Sequence, residues 1–290
     1  MSEAQIYDRG YRRYEGTRTG RVGALRSLVI FSVRQAFGIG RPFWHKIFPF
    51  GLLFFAYLPA VVFVGIAVLI PDEFVEGVVP TYASYYDYVV AVLFLFAGFV
   101  GPELLCSDRQ TAMLGVYLAS PLSRSTYVVG KALSTLLLVM VVTLGPPMLY
   151  LFARSLQDLG PSGFVDWIMT FGRIVVSSVV VGGFYSAVAL AVSSLTARRA
   201  VASAATLLLI PGSAIVTEIL VFSSGSLRYV RLLNLLDLPR VVVFRLFGET
   251  TDDWSRAAHP TAQLWLTWIT IVGLCAIVVW YRYQRLLVRK

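Results

Sequence analysis

The chain has 290 residues, of which 57% are hydrophobic and only 14% charged, with a mean hydropathy of +0.73. Soluble domains average roughly 45–50% apolar and about 25% charged residues, so a soluble enzyme and a disordered chain are both excluded. The formal charge of +9 reads as a device for membrane orientation, and no nucleic-acid partner is expected.

Residues 1–20 are polar, rich in Gly, Arg and Tyr, and carry no signal-peptide pattern. They are expected to form a polar cytoplasmic N-terminus. Segment 21–46 predicts an amphipathic helix lying on the inner leaflet. Val22, Leu25, Val29 and Val33 recur at helical spacing, with Ser27, Arg34 and Arg41 on another face, and Gly38, Gly40 and Pro42 interrupting its end. From residue 47 to 290 the chain reads as an all-α polytopic membrane domain with six spans, at about 48–70, 88–106, 127–152, 170–195, 201–222 and 262–281. Each is long enough to cross roughly 30 Å of hydrocarbon at about 1.5 Å per residue.

Charge sets the orientation. Arginines crowd the N-terminal segment, and Arg109, Arg124, Lys131, Arg198, Arg199, Arg282 and Arg285 follow on the same side, while the first opposite loop has Asp72, Glu73 and Glu76 with no basic residue. Positive-inside therefore puts both termini in the cytoplasm, and the expected location is the plasma membrane of a prokaryote. Tyr82, Tyr85, Tyr86 and Tyr88, with Trp167, Trp265 and Trp268, read as an interfacial aromatic belt. Cys106 and Cys275 lie far apart in sequence, as do His45 and His259, so neither a disulfide framework nor a metal site is expected.

The stretch Glu103–Lys131 stands out. Asp108 and Arg109 precede an amphipathic run from Met113 to Leu118, then the turn Ser120-Pro121-Leu122-Ser123-Arg124, and Gly130-Lys131 opens the third span. Pro121 suits a helix start with Ser120 as its N-cap. A short surface helix joined stiffly to two spans would act as a lever; the same residues could equally form an ordinary inner loop. The arrangement of Arg109, a hydrophobic stretch, and L-x-SP-L-S-R-x-x-Y-x-x-G-K over Leu118–Lys131 resembles the loop between the second and third membrane helices of type-2 ABC transporter permeases. Thr111-Ala112-Met113 stands where that family's pattern has a Gly-Thr step.

The resemblance implies a permease subunit. Two cytoplasmic ABC ATPase subunits would drive it, a second permease (identical or homologous) would complete the path, and the lipid bilayer would surround both. Glu103, Asp108, Arg109, Pro121, Ser123, Arg124 and Lys131 would carry ATPase coupling through the loop 107–126, and the cargo would be an exported apolar or amphipathic molecule. ATP and Mg would be bound by the partners and no cofactor by this chain. The residues agree: a Walker A loop needs G-x-x-x-x-G-K-[ST], but before Gly130-Lys131 the first glycine position holds Ser125, and Ala132 follows the lysine. A membrane scaffold or assembly subunit of the same topology is the alternative. An intramembrane enzyme lacks its motifs, because no H-E-x-x-H and no histidine-activated serine is present.

Charges inside the spans pose the remaining questions. Glu103, after Gly101-Pro102, is expected to contact the coupling loop at the inner end, marking a hinge or meeting the ATPase; the alternative is that it simply reaches inner-leaflet water. Arg173 and Glu218, expected at similar depth on neighbouring spans, either form an intramembrane ion pair or snorkel separately to the outer surface. Small residues of the fourth span (Ser177, Ser178, Gly182, Gly183, Ser186 and Ala187) point to close helix packing. Residues 227–247, too apolar for a simple loop, predict two short re-entrant or surface helices broken at Pro239, which the resemblance casts as an exit gate.

Overall fold

The computed structural model describes residues 20–70, 78–224, 228–249 and 259–285. The N-terminal residues 1–19 and the acidic positions Asp72, Glu73 and Glu76 lie outside that set. Among the described residues the chain is helical throughout, with six helices long and apolar enough to cross a membrane.

Helix α1 (Gly20–Ala36) leads into α2 (Trp44–Leu69) and α3 (Tyr85–Gln110), followed by the short α4 (Met113–Ala119). Next come α5 (Arg124–Thr143), α6 (Gly145–Leu156), α7 (Phe164–Leu195) and α8 (Arg199–Ser224). A 3₁₀ helix (Arg228–Leu233), α9 (Leu238–Phe247) and α10 (Thr261–Arg285) complete the order. The termini of the long helices bring Arg109, Arg124, Arg198, Arg199, Arg282 and Arg285 to one end of the bundle, called the basic end below.

Helices α3 and α7 form the centre and are the most buried of the six, while α2, α8 and α10 lie at the periphery with apolar side chains exposed. In a membrane such exposure costs nothing, because lipid tails are as apolar as leucine. Close packing at the centre needs small residues. A Cβ on Gly101 of α3 would meet the backbone carbonyl of Ala189 on α7 at 3.0 Å, so only glycine permits that crossing.

The third span is two helices laid end to end. It breaks at Leu144, where Pro146 and Pro147 open α6, because proline cannot donate to the preceding turn but is at home in the first turn of a new helix. Together the two helices form the single span expected over 127–152, with a joint inside it.

Helix α1 packs along α5, burying Leu28, Ser32 and Ala36 with Leu25 beside them, while Val22 is exposed. The packed face is therefore rotated from the Val22–Val33 stripe that periodicity suggested. The segment before α10 is two short helices, as expected, but Pro239 sits in the first turn of α9 and does not break it. The break is made by Asn234, whose Oδ1 accepts from the Leu236 and Asp237 amides at 3.0 and 3.1 Å. Helix α9 packs on α7 and α10, and Tyr185 Oη donates to the Leu236 carbonyl at 3.0 Å. Tyr185 lies ten residues from the basic end of α7, or about 15 Å at the usual helical rise. The hairpin therefore dips well into the bundle.

Candidate functional site at the basic end

Two buried carboxylates organise the basic end. Pro102 removes the amide that would have bonded the Gly98 carbonyl, and one residue later Glu103 is only 1% exposed. Its Oε1 lies 2.7 Å from Arg41 Nη1, and its Oε2 lies 2.5 Å from Arg199 Nη1. Arg41 comes from the connector between α1 and α2, and Arg199 from the first turn of α8, where its guanidinium also sits 5.4 Å from the Phe99 ring. Glu103 thus binds three parts of the chain together. A carboxylate at this depth is tolerable only when paired, so the reading in which Glu103 reaches water is corrected. Among the described residues its ion-pair partners are these two arginines, neither of which belongs to the 107–126 loop.

The second carboxylate is Asp108, one and a half turns further along α3. Its Oδ2 accepts from Lys131 Nζ at 2.7 Å and from Tyr127 Oη at 2.9 Å. Lys131 is itself 1% exposed and donates on to Ser32 Oγ of α1 at 3.0 Å. Three helices, α1, α3 and α5, therefore meet at one ion pair. Gly130 makes the meeting sterically feasible, since a Cβ there would lie 2.7 Å from the Leu28 side chain. The ammonium also stands 5.7 Å from the ring centres of Tyr117 and Tyr127, a distance at which a cation still feels the negative face of an aromatic ring.

Arg109 points the other way. Its Nη1 donates to the Ser194 and Thr196 carbonyls at 2.8 and 3.0 Å, satisfying acceptors that the last turn of α7 leaves open and meeting the negative end of that helix. Between Arg109 and the next span lies α4, a surface helix none of whose residues is fully buried. Val116 on it is 63% exposed. The joint into α4 is Ala112, held at φ 55°. That left-handed conformation suits glycine and strains other residues, and it falls at the step where the resembled pattern has Gly-Thr.

The far end of the loop is anchored as firmly. Ser123 is the N-cap of α5, its Oγ accepting from the Thr126 amide at 3.2 Å. Ser120 instead ends α4, with its hydroxyl bonded back to the Tyr117 carbonyl at 2.5 Å, so the expected cap moves by three residues. Pro121 is exposed in the turn between them. Arg124 Nη1 donates to the Gln284 carbonyl at 2.6 Å, tying the loop to the end of α10. On α4, Tyr117 has its phenol pushed up to about 12, first by burial and then by the negative charge of Asp108.

The seven sequence-selected residues thus divide into separate contacts. Asp108 and Lys131 meet directly, Glu103 pairs elsewhere, Arg109 holds α7, and Ser123 with Arg124 secures the loop's exit. Arg41, Arg199, Tyr127 and Ser32 belong to the site and were not selected; a lone acid at the edge of a span, beside a surplus of arginines, is the signal that could have found the first two. The suggested Arg173–Glu218 pair is not formed. Glu218 accepts from Arg231 at 2.8 Å, because the 3₁₀ helix packs along α8 and brings that arginine alongside, while Arg173 is exposed on α7.

Among the described residues no group of His, Cys, Asp and Glu is arranged to hold a metal. No curated protein matches the chain. The model of a family described as ABC-2 family transporter protein matches residues 72–286, a stretch that runs from just before α3 to the end of α10, so this multi-pass chain belongs to the ABC-2 family of transporter membrane proteins.

Proposed function

We propose that this chain is the permease subunit of an exporter, carrying an apolar or amphipathic molecule outward and driven by two cytoplasmic ABC ATPase subunits that bind ATP and Mg. A second permease, identical or homologous, lines the other side of the path. The basic end faces the cytoplasm in this reading, as the positive-inside rule favours, with both termini on that side and the plasma membrane of a prokaryote as the location.

The observation that carries this reading is the way α4 is mounted. It offers an exposed surface, and the spans that flank it are tied together: Asp108 of α3 to Lys131 of α5, and Arg124 of α5 to the last turn of α10. A push on α4 is passed to α3 and α5 together, and through Lys131–Ser32 to α1. Packed interfaces shift between discrete arrangements more readily than they deform, so a rigid mount converts closure of the ATPases into movement of spans.

The experiment compares ATP hydrolysis by the co-purified ATPase with wild-type permease and with Arg124→Glu. The charge reversal removes a donor from the Gln284 carbonyl and should uncouple turnover by roughly tenfold, a coupling of about 1.4 kcal/mol. Undiminished coupled turnover in the variant would reject the lever. A wild-type chain that associates with no ATPase would favour a scaffold subunit.

A further inference from the structure

On the side of the bundle away from the Glu103 cluster, α5, α7 and α10 enclose a cleft of about 470 Å³. Its floor is Gly183, Ser186 and Ala187 of α7, and its walls include Ala132 and Leu136 of α5 and Ala276 of α10. Small side chains on the floor hold the two walls apart without filling the space between them. Part of the fourth span's small-residue set is thereby explained: Gly182 faces α5, where a Cβ would meet Thr143 Oγ1 at 3.2 Å, but Gly183, Ser186 and Ala187 face the cleft.

We propose that this cleft is a binding site for one acyl chain of an anionic membrane lipid. Three observations identify the occupant. The first is chemical: the lining is apolar apart from the Ser186 hydroxyl, which is buried without a partner, the Cys275 thiol and the Trp280 indole, so hydrocarbon fits better than a polar solute. The second is size. The cleft spans Gly183 to Leu190 along α7 and Val128 to Leu136 along α5, or about 12 Å at the helical rise. That length takes a stretch of one hydrocarbon chain lying along the groove, with the small floor residues letting it approach α7 closely.

The third observation is charge. The cleft reaches toward the basic end, where α10 continues past Val279 and Trp280 to Arg282 and Arg285, both exposed, and where Arg124 lies at the start of α5. Neither α5 nor α10 contains an Asp or Glu, and Asp108 nearby is buried against Lys131. Arg282 and Arg285, exposed and with no carboxylate on either helix to hold them, can attract a phosphate headgroup at the level where lipid headgroups sit, and Arg124, held to the Gln284 carbonyl, adds positive charge beside them. Only the assignment of that headgroup to the inner leaflet rests on the orientation proposed above; the site itself does not.

The test uses the full chain, purified from membranes of mixed phosphatidylglycerol and phosphatidylethanolamine and washed in detergent, with retained lipid identified by native mass spectrometry. Wild type should keep one phosphatidylglycerol. Ser186→Leu fills the cleft and breaks no hydrogen bond, since that hydroxyl has none to lose, and should lower retention at least fivefold. Leu266→Phe, on an exposed part of α10 outside the cleft, should leave retention unchanged and controls for folding. Arg282→Gln with Arg285→Gln should keep a lipid but erase the preference for phosphatidylglycerol. The proposal is overturned if wild type retains no lipid, if Ser186→Leu retains as much as wild type, if the retained molecule is not a lipid, or if the arginine pair leaves the headgroup preference intact. None of these readouts involves ATP turnover, so failure here is distinct from failure of the coupling reading.

Discussion

Lys131 Nζ lies 2.7 Å from Asp108 Oδ2, and the two side chains are 1% and 2% exposed. Each charge makes the other's burial tolerable. Lys131→Met should therefore destabilise the fold by about 3–5 kcal/mol, the usual cost of stranding one member of a buried pair. Lys131→Met combined with Asp108→Leu should recover a large part of that loss. Thermal unfolding in detergent measures both, and additive losses in the double variant would refute the pairing argument.

Around Glu103 the expected pattern is asymmetric. Arg41 and Arg199 are 36% and 38% exposed, so each can turn to solvent when the acid is removed, whereas Glu103 cannot. Glu103→Gln should accordingly be mild. The double variant Arg41→Ala with Arg199→Ala leaves the carboxylate bare and should cost more than the two single variants together, by about 1 kcal/mol or more. A full double-mutant cycle decides this.

Ala112 holds a left-handed backbone at the joint into α4. Relieving it with glycine recovers roughly 1–2 kcal/mol of steric cost, offset by about 0.5–1 kcal/mol of extra freedom in the unfolded chain. Ala112→Gly should thus be neutral or stabilising by up to about 1 kcal/mol, and Ala112→Val clearly worse than wild type. Limited proteolysis across residues 107–126 should slow or stay unchanged in the first variant and accelerate in the second.

Burial and Asp108 raise the Tyr117 phenol to about 12 from its ordinary 10.0, so the folded state keeps its proton where the unfolded chain has lost it. Stability from this group is complete below about pH 10 and falls as pH rises toward 12. Tyr117→Phe should flatten that part of the alkaline unfolding curve without altering stability near neutrality by a comparable amount.

At the opposite end Arg240 joins α9 to α3. Its Nε donates to Asp87 Oδ1 at 2.6 Å, and its Nη1 to Asp237 Oδ1 at 2.7 Å. Arg240→Ala leaves two carboxylates facing a vacated position and loosens α9. Amide hydrogen exchange over residues 238–247 should rise roughly tenfold, equivalent to about 1.4 kcal/mol, while exchange in α5 stays unchanged.

The six spans were legible because each is a long apolar block, a local property that no packing can disguise. Their pairing was not. Arg231 displaced Arg173 as the partner of Glu218 because a 3₁₀ helix folds back along α8, and nothing in the hydropathy marks that return. Helix joints were legible only where one residue type dominates the geometry. Pro146 and Pro147 could have announced the break after Leu144, yet Ser120 and Ser123 are equally good caps in isolation, and packing of Leu122 into the core comes with the second as the start of α5. The loop proposed for coupling was singled out by its short pattern, but Arg41 and Ser32 lie 62 and 99 residues from Glu103 and Lys131, the groups they hold, beyond the reach of any local reading.

The most direct measurement is cross-linking from α4. Val116→Cys, placed on the exposed face of that helix and charged with a short thiol-reactive cross-linker in native membranes, should capture an ABC ATPase subunit, and adding ATP should change the yield. Capture of the ATPase from a cysteine at Ser162, at the other end of the bundle between α6 and α7, with none from Val116→Cys, would contradict the account.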